Sequence, residues 1–258
     1  MHRLGVVLFS SAILSLGSAP LATAADMRVK APVYKAPAAA VYNWTGCYVG
    51  GNIGYGWQKS TSTDVDPTGV PPFDAGTNTG TGIVGGGQIG CDFQVAPNWV
   101  LGIQGMFDGA DVKGSHIVPF SYAGTNTNTR ETRTDFFATL TARIGYIVSP
   151  QAMLYFKGGA AWVKSRYSDT DPSGSNFVPF WGQARGTRTG WTIGGGGEYL
   201  LRPDWTVFIE YNYVDLGSKT FAFSYTCVGT CDFANPYLYA QKQNLQTILI
   251  GTAARAPI

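Results

Sequence analysis

The chain has 258 residues, 34 of them glycine, with 13% charged, 14% aromatic and a formal net charge of +2. Charged residues at about half the share usual for a soluble domain leave little polar side chain for a fully hydrated surface. Near-neutrality gives no electrostatic case for nucleic acid, whose binding needs clustered cations, and a mean hydropathy near zero excludes both a bundle of membrane helices and a disordered polymer.

The first residues point to export. His2 and Arg3 open a short basic segment, Gly5 to Gly17 form an apolar stretch too short to span a bilayer, and Ala22-Thr23-Ala24 supply small residues at a cleavage site. A signal peptide of residues 1–24 is predicted, with cleavage after Ala25 the close alternative. Its removal takes Arg3 and no acid, leaving 17 basic against 16 acidic groups. Residues 25–43, with Pro32 and Pro37 among many alanines, read as a flexible periplasmic leader. Beyond them no run of about eighteen apolar residues occurs, so no transmembrane helix is available. A mature chain in a membrane would have to close as a barrel, because hydrocarbon satisfies no unpaired backbone group.

From Trp44 onward, segments of period two alternate with connections rich in Gly, Asn, Thr, Asp and Pro. Eight strands are predicted, at about 45–57, 82–94, 99–109, 135–148, 152–164, 188–200, 205–215 and 244–256. Three connections are tight and carry proline: Val95-Ala96-Pro97-Asn98, Ser149-Pro150-Gln151 and Leu201-Arg202-Pro203-Asp204. Four are long, at about 58–81, 110–134, 165–187 and 216–243. Short and long connections strictly alternate, as periplasmic turns and extracellular loops do in outer-membrane barrels. The fold predicted for residues 44–258 is therefore all-β: an eight-stranded antiparallel up-and-down transmembrane β-barrel with both termini on the periplasmic side.

The strand faces agree. Trp205, Val207, Ile209, Tyr211 and Tyr213 point one way while Thr206, Phe208, Glu210 and Asn212 point the other; Leu140, Ala142, Ile144 and Tyr146 likewise oppose Thr139, Thr141, Arg143 and Gly145. Apolar-out, polar-in alternation is the reverse of a soluble barrel. By the same parity Trp99, Tyr146, Tyr199 and Trp205 face outward near the short turns, and Trp57, Trp162, Trp191 and Tyr213 near the long loops. Amphipathic rings at both levels form the two girdles of a membrane barrel.

The inward face carries charge. Arg143 and Lys157 lie seven residues either side of Pro150 and so face each other across the hairpin; Glu198 and Glu210 lie six either side of Asp204, and Gln88 and Gln104 eight either side of Ala96. This symmetry predicts an interior network of Arg143, Lys157, Glu198 and Glu210 with Gln88 and Gln104 nearby, in which Lys157 and Glu198 sit at similar heights. Two cations offset two carboxylates, as burial requires. Eight strands enclose a space that side chains fill, so the network either closes and rigidifies the lumen or, in the alternative reading, gates a narrow ion path.

Four cysteines in an oxidising compartment suggest two disulfides. Cys47 near the start of the first strand and Cys91 near the end of the second are brought together by antiparallel pairing, and Cys227 and Cys231 can close a small local loop. Two cysteine pairs without histidine do not make a zinc site. After cleavage one histidine remains, His116, and a Ser–His–acid arrangement with Ser115 or Ser121 and Asp111 rests on proximity alone, so no enzyme activity is expected. Gly85–Gly87 and Gly194–Gly197 precede no helix and are not phosphate loops; they suit a curved barrel wall.

Several segments carry a resemblance. The signal ending Ala22-Thr-Ala-Ala-Asp26, the Pro/Ala leader, Trp44-Thr-Gly-Cys-Tyr-Val-Gly-Gly-Asn-Ile-Gly-Tyr-Gly-Trp57 and Gly85-Gly-Gly-Gln-Ile-Gly-Cys-Asp-Phe93 are similar to alphaproteobacterial outer-membrane barrels. So are Gly190-Trp-Thr-Ile-Gly-Gly-Gly-Gly-Glu-Tyr199 and Glu210-Tyr-Asn-Tyr-Val-Asp-Leu-Gly217. The family is the rhizobial-type surface-antigen or "porin family" proteins, akin to the membrane domain of outer-membrane protein A, and the likeness covers essentially the whole chain. It implies an outer-membrane location with roles in envelope integrity, surface exposure or limited permeability. The implied partners are membrane lipid, lipopolysaccharide and the barrel-assembly machinery. Some relatives bind haem, for which this chain offers no histidine but His116, and no cofactor is expected. One departure stands out: Ala254 and Ala256 occupy the end of the chain where the family closes with an aromatic, which bears on how strand eight meets strand one.

Overall fold

The computed structural model describes residues 42–65, 72, 74–118, 128–172, 179–229 and 236–256. They form eight strands: β1 (Gly46–Asp64), β2 (Asp74–Ala96), β3 (Trp99–Ile117), β4 (Thr129–Ser149), β5 (Ala152–Asp171), β6 (Phe180–Arg202), β7 (Trp205–Cys227) and β8 (Tyr237–Ala256). Each pairs antiparallel with the next, and β8 pairs back onto β1, so the sheet closes into a barrel. Closure removes the unpaired edge that an open sheet would present to lipid. The predicted signal peptide and the leader up to residue 41 lie outside the described residues.

The three predicted tight turns are present and have two residues each at their tips. Pro97-Asn98, Pro150-Gln151 and Pro203-Asp204 separate the pairs Ala96↔Trp99, Ser149↔Ala152 and Arg202↔Trp205. Proline serves there because the tip has no ladder hydrogen bond to lose.

The strands are longer than predicted, at 19 to 23 residues. About 9–11 tilted residues suffice to cross a bilayer, so each strand continues well past the apolar band. The predicted bounds followed apolar periodicity, which stops where lipid stops. The ladder goes on: beyond Trp57, Gln58, Ser60, Ser62 and Asp64 remain buried inside while Lys59 faces out. An extension standing in water needs no apolar outer face, so it reads as loop in hydropathy and as strand in backbone pairing. Much of the predicted loops 58–81, 110–134, 165–187 and 216–243 is therefore barrel wall.

Side-chain direction follows the predicted parity. Phe156 is 72% and Ile83 65% exposed on the outer face, while Lys157, next to Phe156, is 3% exposed inside. The seam between β1 and β8 closes without a terminal aromatic: Val49 pairs with Ala254 and Cys47 with Ala256. What the seam requires is glycine. A Cβ added at Gly50 would come within 2.5 Å of the Thr252 carbonyl, and one added at Gly54 would collide with the Ile248 carbonyl. The two backbones approach so closely that no side chain fits between them.

Candidate functional site

The chemistry of the molecule is concentrated inside the barrel, in layers stacked from the turn end upward. At the turn end Trp44, Val100, Ile147, Met153 and Tyr155 form an apolar cluster, with the Tyr42 ring edge-on to Trp44 at 5.4 Å.

Next comes a ring of four charges, one from each even-numbered strand. Arg143 on β4 donates through Nε to Asp92 Oδ1 on β2 at 2.7 Å and through Nη2 to Asp92 Oδ2. The same Nη2 reaches Glu198 Oε2 on β6 at 3.2 Å. Arg255 on β8 donates to Glu198 Oε1 at 2.8 Å, to Asp92 Oδ2 at 2.7 Å and to the Trp44 carbonyl at 2.8 Å. Aromatic faces complete the cage, with Arg143 4.8 Å from the Tyr48 centroid and 4.9 Å from that of Tyr155. Two guanidiniums and two carboxylates, all buried, offset one another, and Arg143 meets Asp92 with two parallel hydrogen bonds, an arrangement that lowers the cost of burying ions.

The layer above is drawn mainly from odd-numbered strands, with Gln88 of β2 joining it. Lys157 Nζ on β5 donates to Glu210 Oε1 on β7 at 2.6 Å and to Gln104 Oε1 on β3 at 2.7 Å. Gln104 donates onward to Gln88 Oε1 at 2.8 Å, and Glu210 also accepts from Tyr155 Oη at 2.8 Å and Asn212 Nδ2 at 2.9 Å. Alternate strands feed alternate layers because barrel stagger sets neighbouring strands at different heights. Above this layer Asp108 is fully buried, with the Asn52 amide beside its carboxylate and, among the described residues, no cation in an ion pair with it. An apolar layer of residues that include Val84, Phe137, Val163, Leu245 and Leu249 follows. Higher still, Arg130 meets Asp169 at 2.5 Å, and Tyr225 donates to the same carboxylate at 2.9 Å.

The six predicted interior residues are thus all buried and linked within two adjoining layers. Arg143 lies opposite Lys157 across the β4–β5 hairpin, as their symmetry about Pro150 predicts, but the other pairings differ from the prediction. Lys157 lies opposite Gly194 and Glu198 opposite Met153, so these two are offset by four residues along β6, and Lys157 bonds Glu210 instead. Glu198 and Glu210 are not opposite either: Glu198 faces Phe208, and Glu210 faces Gly196. Gln88 faces Met106, with Gln104 one diagonal step away. Counting outward from a turn gives the right register for β4 and β5, but across β2–β3 and β6–β7 the turn tips and ladder irregularities shift the count, and strand tilt moves the heights. Asp92 and Arg255 were missed. Parity alone places Asp92 on the face of Gln88, but its neighbour Cys91 drew the reading to a disulfide; Arg255 lay in a segment read only for its missing aromatic.

All eight predicted girdle residues lie on the outer face; Trp57 and Tyr213 are half-buried by neighbouring rings and the rest are exposed. Trp99 and Tyr146 are paired in register with centroids 5.1 Å apart, and Trp191 and Tyr213 are 5.7 Å apart. Cys47 and Cys91 are register partners joined by a disulfide. Cys227 is also disulfide-bonded, and Cys231 lies outside the described residues. The candidate triad does not assemble: a His116 ring nitrogen lies 2.9 Å from the Ala75 carbonyl, and Asp111 pairs with Lys113 at 3.1 Å and Arg133 at 2.9 Å. Ser121 lies outside the described residues. Gly85–Gly87 and Gly194–Gly197 sit within β2 and β6.

A family described as an outer membrane protein beta-barrel domain matches residues 31–237. A 31 kDa outer-membrane immunogenic protein of Brucella melitensis is 33% identical over 250 residues, covering 93% of this chain and 97% of the relative. A 25 kDa outer-membrane immunogenic protein of Brucella abortus is 28% identical over 226 residues, covering 86% and 89%. Among solved structures, the outer membrane protein OprG from Pseudomonas aeruginosa aligns over 84% of this chain and 98% of its own at 12% identity, with a TM-score of 0.44.

Proposed function

The chain belongs to the outer membrane protein beta-barrel domain family, and from that premise we propose that it is a non-enzymatic envelope barrel. Its lumen is closed by the interior layers, and its work is mechanical support of the outer membrane together with recognition at the cell surface. The observation that carries this reading is the ring of Asp92, Arg143, Glu198 and Arg255, whose side chains meet across the lumen from four separate strands. Ions could pass only after hydrogen-bonded contacts between buried charges are broken, a costly step in low dielectric. Protrusion of the upper strands beyond the apolar band suits presentation to the outside, and the Brucella relatives are named as immunogenic. Export through a cleaved signal, contact with lipid and lipopolysaccharide, and handling by the barrel-assembly machinery belong to the same proposal.

The rival reading is a narrow channel in which the Lys157–Glu210 pair is the gate. Single-channel recording in planar bilayers separates the two. The closed-lumen reading expects near-zero conductance for the unmodified chain and for both Lys157→Met and Glu210→Gln. Sustained ohmic steps in the unmodified chain, or their appearance in both variants, would establish a channel.

A further inference from the structure

On the outer wall, above the apolar band, four cations stand in one register row across four adjacent strands. Lys113 on β3 pairs with Arg133 on β4, Arg133 with Arg166 on β5, and Arg166 with Arg185 on β6. Like charges directly opposite one another repel, and a sheet with no use for them has no reason to line them up. Compensation from within the chain is partial. Asp111 bridges Lys113 and Arg133 at 3.1 and 2.9 Å, and Asp135 bridges Arg133 and Arg166 at 3.4 and 2.8 Å. Arg185 has an amide neighbour, Gln183 at 3.2 Å, and among the described residues neither it nor Lys164, two positions before Arg166 on β5, has a carboxylate within ion-pair distance. Glu131, two positions before Arg133, still leaves the patch positive.

We infer that this row is a binding site for the phosphorylated headgroup of an outer-leaflet glycolipid. The choice of occupant follows from position and chemistry. The exposed rings of Phe107, Trp162 and Trp191 lie along the same strands on the side toward the turns, so the row stands where acyl chains give way to headgroups. A ligand lying against it presents hydrocarbon below and anionic oxygen above. Guanidiniums fork onto phosphate oxygens with two parallel hydrogen bonds. The four strands spread the row over about 14 Å at ordinary strand spacing, room for a headgroup carrying more than one phosphate. In a lipid bilayer the two unpaired cations, Lys164 and Arg185, engage the phosphates directly, and the Asp111 and Asp135 bridges hold the remaining three in place.

The inference rests on the outer-membrane reading, and the test keeps the two apart. Full-length chain is inserted into bilayers, insertion is verified by heat-modifiable migration, and lipopolysaccharide binding is titrated with the intact and the enzymatically dephosphorylated lipid. The combined variant Lys113→Gln, Arg133→Gln, Arg166→Gln, Arg185→Gln is expected to bind the intact lipid at least tenfold more weakly. The unmodified chain should lose a similar factor when the phosphates are removed. Lys164→Gln with Arg185→Gln leaves the Asp-bridged ladder untouched, guards against a folding defect, and should cost roughly threefold or more. Lys59→Gln with Lys242→Gln, on β1 and β8, should bind within twofold of the unmodified chain. An inserted combined variant that binds like the parent overturns the site while leaving the barrel standing. So does a Lys59/Lys242 variant that loses as much, since that marks a diffuse charge effect. A parent chain that never inserts overturns the outer-membrane reading and the site with it.

Discussion

The interior charges act as a set because each has its partner on a different strand. Removing Arg143 leaves Asp92 and Glu198 sharing Arg255 alone in surroundings that water does not reach. Arg143→Met is expected to lower stability by about 3–5 kcal/mol, the usual cost of breaking a buried pair from one side; urea unfolding of the refolded barrel measures it, and a change under about 1 kcal/mol would show the ring to be loosely held. Asp108 is the opposite case, a buried carboxylate beside the Asn52 amide with, among the described residues, no cation in an ion pair with it. Asp108→Asn keeps the shape and removes the charge, so it should stabilise by about 1–3 kcal/mol, the desolvation cost of one unpaired group. A lower urea midpoint for that variant would mean the charge is compensated by groups such as Lys157. Which residues point inward was legible from parity, since Arg143, Lys157, Glu198 and Glu210 share the polar face of their strands. Which of them touch was not, because partner choice depends on stagger, a property of the closed sheet that no single strand encodes.

A strand in this barrel is two things joined end to end, a lipid-facing half written in apolar alternation and a water-facing half written in Ser, Thr, Gln and Asn. Hydropathy reads the first and is blind to the second, which is why β1 was predicted to end at residue 57 when it runs to Asp64. Several ladder irregularities fall where the outer face turns polar, between Gly109 and Val112, between Thr134 and Phe136, and between Asp215 and Ser218. At the last of these Gly217 adopts φ +59°, and its N–H donates to Asp215 Oδ1 at 2.7 Å, the left-handed bulge geometry that glycine permits most cheaply. The β1–β8 seam was also illegible, because glycine reads as weak strand until the facing backbone is seen. Gly54→Val should block closure: the variant is expected to lose most of its heat-modifiable fraction, whereas Gly51→Ala, with only the Gly86 carbonyl near its added Cβ at 3.7 Å, should keep it. Equal folding of the two would show that the seam can open enough to admit a side chain.

Viewed whole, the barrel inverts the soluble plan, with ions at the centre and aliphatic groups outside, and its orientation can be mapped by labelling. A fluorophore at Phe156→Cys is expected to be quenched by bromine on acyl chains, while a thiol at Gln183→Cys, on the protruding part of β6, should react with an impermeant maleimide on intact cells. Quenching at residue 183, or aqueous reactivity at residue 156, would reverse the assignment of the two halves.

The ring of Asp92, Arg143, Glu198 and Arg255 has a bearing on biogenesis. Its fourth member, Arg255, stands on β8, the strand that closes the sheet between β7 and β1. Before β8 is in place, Arg143 alone faces the two carboxylates of Asp92 and Glu198. Charge balance at the centre and closure of the wall are therefore one event, because the strand that seals the sheet also carries the last guanidinium.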